Sequence, residues 1–389
     1  MTQLHDYRQQ FPALANKNYF NYGGQGPMSQ VVMNAIAETQ AYIQKMGPFG
    51  YEVKNWLETE KVALRLAIAS ELNVSEDTVT ITEDVTVGCN IAMWGLDWQA
   101  GDHMLLSDCE HSGVVAIAQE ISHRFGVEVT TFPLMSSLND KDPVAVIREY
   151  LRPKTRLVVL SHVLWNTGQL LPLDKITEVC HSNQSLLLVD AAQSVGMLPL
   201  DLQASGVDFY AFTGHKWLCG PEGVGGLYVK KETKDNLRPT FIGWRSIITD
   251  SQDKPIGWHP DGQRYEVATS NYPLYSGLKK AIAFHQEWGT AEERYQQICI
   301  NAEYLWRRLS GLPDVKCLRT KPPESGLVSF QVGDNKPQTV VRLVEFLESQ
   351  GSFVRVIVNP CCVRPCVHYF TSESEMDRLV ELIKEWSME

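Results

Sequence analysis

The chain lacks any apolar run approaching the ~20 residues that a membrane-spanning helix needs. Its start, MTQLHDYRQQFPALANKNYF, has no apolar core behind a basic stretch, so it does not read as a secretion signal. An excess of positive charge is missing too. Against 46 Asp+Glu stand 35 Lys+Arg, a net charge of −11, so neither nucleic acid nor an anionic membrane is expected as the main partner. There is no internal repeat, low-complexity tract or obvious linker, and with 44% hydrophobic and 21% charged residues whole-chain disorder and coiled coil are excluded. The nine cysteines are scattered and odd in number, which fits reduced thiols in a cytoplasmic protein rather than a disulfide framework. One cluster, Cys361-Cys362-Val363-Arg364-Pro365-Cys366 followed by His368, does not follow common zinc-ligand spacing, and no metal is expected there.

What is present is an alternation. Helical patterns fill about 30–70, and then short apolar runs recur: 79–82, 103–107, 127–132, 156–163, 185–190, 207–212 and 224–229. Strands apolar on both faces and separated by helical stretches imply an α/β fold with a largely parallel sheet covered on both sides. Beyond about 270 the texture changes to a long helical pattern from Tyr275 through Arg308, then GLVSFQV, a helix over 338–350, SFVRVIV and a final helix over 373–387. The expected organisation is an N-terminal segment (1–15) packing with the small domain, a large α/β domain (16–270) and a smaller C-terminal α+β domain (271–389). The stretch 230–255 reads as a functional loop.

Two residues at strand ends carry chemistry. Asp190 ends SLLLVD, and Lys216 follows VDFYAF in Phe212-Thr213-Gly214-His215-Lys216-Trp217. Ligands of open α/β sheets bind at the carboxyl ends of strands. Pyridoxal phosphate needs this pair: its aldehyde condenses with a lysine, and an aspartate keeps its ring nitrogen protonated. Taken alone, a helix-capping aspartate and a surface lysine would read the same way. A nicotinamide site is rejected, because Gly220-Pro221-Glu222-Gly223-Val224-Gly225-Gly226 precedes a strand instead of opening a helix.

The neighbours extend the pattern. Asp190-Ala191-Ala192-Gln193, Thr213-Gly214-His215-Lys216 with Gly220-Pro221-Glu222-Gly223, Glu110-His111-Ser112, and the run 81–90 containing Thr86 and Val87 together resemble the class V aminotransferase family. This family comprises pyridoxal-phosphate enzymes of fold type I and includes the cysteine desulfurases; the resemblance runs along nearly the whole chain. It implies that Lys216 carries the cofactor and acts as base, that His111 stacks on the ring, and that Gln193 meets the ring hydroxyl. Thr86, Val87, Thr213 and His215 are then expected around the phosphate, the first turn of a helix offering free N–H groups to an anion. Asn166, in Trp165-Asn166-Thr167-Gly168, is expected near cofactor and substrate. Arg364, Arg355 and Gly23 are expected at the substrate, a bidentate arginine being the usual clamp for an α-carboxylate. Thr269 resembles a residue that reaches the partner subunit's phosphate, which implies a homodimer.

Only eight residues separate Arg355 from Arg364. The resemblance places a desulfurase's nucleophilic cysteine on a longer loop there, and a tight, apolar, proline-containing connection is poorly suited to carrying a thiol into a pocket. The expected reaction is therefore a C–S lyase β-elimination, with Lys216 removing the Cα proton. A persulfide leaves more readily than a thiolate, so L-cystine is expected to outrank L-cysteine, giving pyruvate, ammonia and cysteine persulfide; an iron–sulfur acceptor protein as a partner is what the resemblance implies. The alternative is a desulfurase yielding alanine.

Overall fold

The structure, a computed structural model, describes residues 2–387. Its strands in chain order are β1 (Asn18–Tyr19), β2 (Val79–Thr82), β3 (His103–Ser107), β4 (Glu128–Phe132), β5 (Thr155–Ser161), β6 (Leu186–Asp190), β7 (Phe209–Thr213) and β8 (Gly225–Val229). They continue with β9 (Ile247–Thr249), β10 (Pro255–Trp258), β11 (Val315–Cys317), β12 (Phe330–Val332), β13 (Ser352–Phe353), β14 (Arg355–Ile357) and β15 (Cys362–Arg364). Strands β2 to β8 form one seven-stranded sheet in the order β2-β8-β7-β6-β5-β3-β4. Only β8 runs antiparallel to its neighbours; the other pairings are parallel. Every residue of β3, β6 to β8 apart from Leu186, and of β5 apart from Arg156, is buried. Two apolar clusters sandwich the sheet, one around Val158, Leu187 and Tyr210, the other around Leu157, Leu188 and Phe209. Alternating residues of one strand thus feed both layers, which is why these runs show no polar face.

The C-terminal part builds a four-stranded antiparallel sheet, β11-β12-β15-β14, covered by helices Ala291–Ser310, Pro337–Ser349 and Glu373–Trp386 around Phe330, Leu343 and Leu379. Strand β1 pairs with β13 of this part, so the chain near Tyr19 is stitched to the small unit. The N-terminal helix Thr2–Gln9 docks there as well. Tyr7 stacks on Phe284 at 4.4 Å, and Arg8 pairs with Glu375 at 2.7 Å.

Three expectations need correcting. The pattern from Tyr275 to Arg308 is two helices, Tyr272–Trp288 and Ala291–Ser310. They part at Gly289-Thr290, where Thr290 and Glu293 form a capping box that starts the second helix. The stretch 230–255 is not wholly loop, since β9 lies in it and pairs with β10. SFVRVIV is two short strands with different partners, β13 on β1 and β14 on β15.

Candidate active site

A cavity of about 430 Å³ opens at the carboxyl ends of β5, β6 and β7, between the large sheet and the β14–β15 hairpin. Asp190, the last residue of β6, is 6% exposed, and its Oδ1 accepts the Ala192 N–H at 2.9 Å. Burial raises its acid pKa against the pull of that N–H and of the Lys216 charge. Lys216 lies in the turn between β7 and β8. Burial and the Arg364 and Arg355 charges pull its amine down to about 8, while Asp190 opposes the shift. A lysine that surrenders its proton near neutrality is a nucleophile and a base.

The Lys216 segment is held from every side. The Gly26 N–H reaches the His215 carbonyl at 2.7 Å, and a Cβ on Gly26 would sit 2.2 Å from the Lys216 carbonyl oxygen, so only glycine fits. The next two carbonyls are taken by buried histidines: His368 Nε2–H donates to Trp217 O at 3.0 Å and His285 Nε2–H to Leu218 O at 2.7 Å. The His285 Nδ1 accepts from Tyr369 at 2.5 Å, whose hydroxyl oxygen accepts from Tyr7 at 2.5 Å. A directional chain of hydrogen bonds thus links the N-terminal helix to the peptide groups beside the lysine. Burial holds His285 far below its ordinary range, at about 3, and His368 well below as well, so both are neutral.

Gln193 is fixed by Trp217 Nε1, which donates to its Oε1 at 2.9 Å, while its own Nε2 donates to Gly23 O at 2.8 Å. One amide hydrogen remains for a ligand. His111 caps the helix Ser112–Phe125, its Nδ1 accepting the Gly113 N–H at 3.2 Å, and its ring meets Trp165 edge-on at 5.9 Å. Thr86, at the start of the helix Val85–Trp94, and His215 also line the cavity.

Arg364 is 2% exposed, bonded to the Trp165 carbonyl, and its Nε has no partner. Among the described residues no carboxylate pairs with it or with Arg355. A buried guanidinium without a counterion is costly unless an anion arrives. Both arginines line the cavity, as does Gly23.

Some expected residues are placed otherwise. The Val87 N–H is taken by the Asp84 carboxylate at 2.9 Å, because Asp84 caps the helix, leaving the N–H groups of Val85 and Thr86 for an anion. Thr213 does not line the cavity; its hydroxyl is bonded to His215 Nδ1 at 2.6 Å and orients that ring. Asn166 is not among the cavity-lining residues; its Nδ2 donates to Asn359 O at 3.1 Å, while its Oδ1 is buried and unpartnered. Thr269 is exposed and outside this cavity. Sequence reasoning passed over Ser161, which lines the cavity, and gave no role to Glu110.

The arrangement fits pyridoxal phosphate on the chemistry of its donors. One cavity brings together a lysine amine, a buried carboxylate, the start of a helix with free N–H groups and a threonine hydroxyl, and an uncompensated guanidinium.

Comparison with known proteins agrees. Two solved structures resemble the chain at 49% identity. One is the cystine C–S lyase C-DES in complex with its reaction product cysteine persulfide, with a TM-score of 0.93 over 96% of this chain and 99% of that one. The other is a lysine-to-alanine mutant of C-DES with glycine covalently linked to the PLP cofactor, with a TM-score of 0.94 over 97% and 98%. A probable cysteine desulfurase of Methanothermobacter thermautotrophicus is 25% identical over 98% of this chain and 97% of its own. The Aminotransferase class-V family model matches residues 19–378. The chain therefore belongs to the class V aminotransferases, fold type I enzymes that work with pyridoxal phosphate.

Proposed function

We propose that this protein is a C–S lyase that splits L-cystine by β-elimination into pyruvate, ammonia and cysteine persulfide, with L-cysteine the poorer substrate. The observation that carries the reading is the β14–β15 hairpin. Arg355 pairs with Arg364 and Ile357 with Cys362, so only the short turn 358–361 joins the strands. Cys362 and Cys366 are fully buried, and Cys361 packs against the small-unit core. No thiol there stands on a segment free to enter the cavity, as a desulfurase nucleophile must. The 49% likeness to C-DES supports the same reading.

Lys216, Asp190, Gln193, His111, Thr86 and His215 would hold pyridoxal phosphate, which when bound supplies an electron sink at the substrate Cα. Arg364 binds the α-carboxylate and Arg355 stands at the mouth. Once free of the cofactor, Lys216 would accept the Cα proton on Nζ, since burial draws its amine down to about 8 and so leaves far more of it neutral at physiological pH than in an ordinary lysine. The Asp190 carboxylate, one of whose oxygens already accepts from Ala192 N–H, would keep the cofactor's ring nitrogen protonated. The sulfur departs as a persulfide anion, a better leaving group than a thiolate.

The protein acts as a cytoplasmic homodimer in this reading. Thr269 lies on a face with exposed Phe241, Ile242, Trp244 and Val267, apolar groups that a second copy would cover, and from there it reaches the neighbouring subunit's phosphate. An iron–sulfur acceptor protein takes the persulfide. Intact-protein mass after one turnover tests the chemistry. The lyase leaves the mass unchanged, whereas a desulfurase, the reading favoured by the names of the more distant relatives, gains one sulfur atom.

A further inference from the structure

Glu110 lies beneath the cavity and takes part in none of these steps. Its side chain is buried where the ends of β3 and β5 meet the His111 turn. Its Oε1 accepts the Ser107 hydroxyl and, at 3.0 Å, the Ser161 N–H; its Oε2 lies 3.0 Å from the Ser161 hydroxyl. Ser161 is the register partner of Asp190 on the neighbouring strand and lines the cavity. Among the described residues no Lys, Arg or His forms an ion pair with Glu110. The ionisable groups that face it are Asp190 from β6, the Cys89 thiol from the helix Val85–Trp94, and Cys109 beside it in the chain.

A hydroxyl between a buried carboxyl and a cavity has two settings. With Glu110 ionised, the Ser161 O–H donates to Oε2 and turns a lone pair to the cavity. With a proton on Oε2, the bond reverses: Glu110 donates, and the Ser161 hydrogen is released toward the cavity. Oε1 keeps both of its donors in either case.

We propose that Glu110 is a positioning residue that decides, through the Ser161 hydroxyl, whether the cavity wall beside Asp190 offers the cofactor a donor or an acceptor. A neutral Glu110 also adds no second negative charge beside Asp190, whose charge raises the Glu110 acid. Burial, with the Asp190 charge adding to it, pushes the Glu110 acid up to about 8 despite its serine hydrogen bonds. The donor setting therefore holds at neutral pH, and the acceptor setting appears in alkali. The inference rests on pyridoxal phosphate occupying the cavity and is independent of which substrate is cleaved.

Infrared difference spectra and cofactor absorbance, recorded together across pH on the PLP-loaded Lys216→Ala protein, test it with the lysine titration removed. A carboxylic-acid C=O band should be lost with a midpoint near pH 8, and the cofactor absorbance should shift with the same midpoint. Glu110→Gln, whose amide N–H stays a donor, should lack the band and keep the low-pH cofactor spectrum throughout. Ser161→Ala should keep the titrating band while the cofactor spectrum stops following it. A band that survives Glu110→Gln, or a Ser161→Ala protein whose cofactor spectrum still follows pH as its parent's does, overturns the proposal. If Glu110→Gln does not fold, the Ser161→Ala comparison decides alone. A protein that never takes up pyridoxal phosphate would instead defeat the cofactor reading.

Discussion

Arg355 and Arg364 are direct cross-strand partners in the β14–β15 hairpin, and both line the cavity that holds Lys216. Like charges set opposite one another on a sheet repel, and neither has a carboxylate partner among the described residues. Their environments differ, Arg364 being buried and Arg355 exposed. Arg364→Ala should raise KM for cystine by roughly 10- to 100-fold, the worth of a charge-assisted hydrogen bond of about 1.5–3 kcal/mol. Arg355→Ala should raise it less, its charge being solvated. Steady-state kinetics of the two variants, with KM effects of equal size, would deny Arg364 its special place.

Gly23 lines the cavity where the chain leaves strand β1. A Cβ there would lie 2.9 Å from Gln193 Oε1, 3.0 Å from Cys366 Sγ and 3.1 Å from an Arg364 terminal nitrogen. Gly23→Ala must move Gln193 and Arg364 together, at an overpacking cost of about 1–3 kcal/mol. The expected result is a fall in kcat/KM of ~10-fold or more, with weaker cofactor retention, read by kinetics and by equilibrium loading with pyridoxal phosphate.

The Lys216 amine should govern how fast apoprotein captures pyridoxal phosphate. Only the neutral amine attacks an aldehyde, so the capture rate should climb with pH and level off above about 8. Stopped-flow absorbance at a series of pH values checks this; a rise continuing to the ordinary lysine range would mean that burial does not lower this amine.

Acid should loosen the clamp on the Lys216 segment. His285 titrates at about 3 in the folded chain against an ordinary 6.5, so between these values the unfolded state binds more protons and stability falls as pH falls. His162, also brought to about 3 by burial, adds to the same slope. Thermal melts from neutral pH downward should show a falling Tm, with a shallower slope in His285→Gln, which keeps a donor but cannot be protonated.

The strands of the large sheet were legible in the sequence because most are short runs apolar on both faces; the edge strand β4, with exposed Glu128 and Thr131, is the exception. Their ends, Asp190 and the Lys216 turn, could then be placed beside each other. The small unit was harder to read. Its strands are two or three residues long, too short for any periodicity, and the break after Trp288 is marked only by Gly289-Thr290-x-x-Glu293. At the site, residues carried by side-chain chemistry, such as Lys216, Asp190, Gln193 and His111, were found together. Val87, Thr213 and Asn166 make local hydrogen bonds to Asp84, His215 and Asn359, partners that composition and spacing do not reveal. Glu110 carried no signal beyond its place next to His111, since its importance comes from burial.

The central claim is that sulfur leaves with the small molecule and never rests on the enzyme. Purified holoprotein given L-cystine should form pyruvate and ammonia in equal amounts with cysteine persulfide, faster than from L-cysteine, and Lys216→Ala should form none. Alanine in place of pyruvate would contradict the account and make one of the C-terminal cysteines a nucleophile.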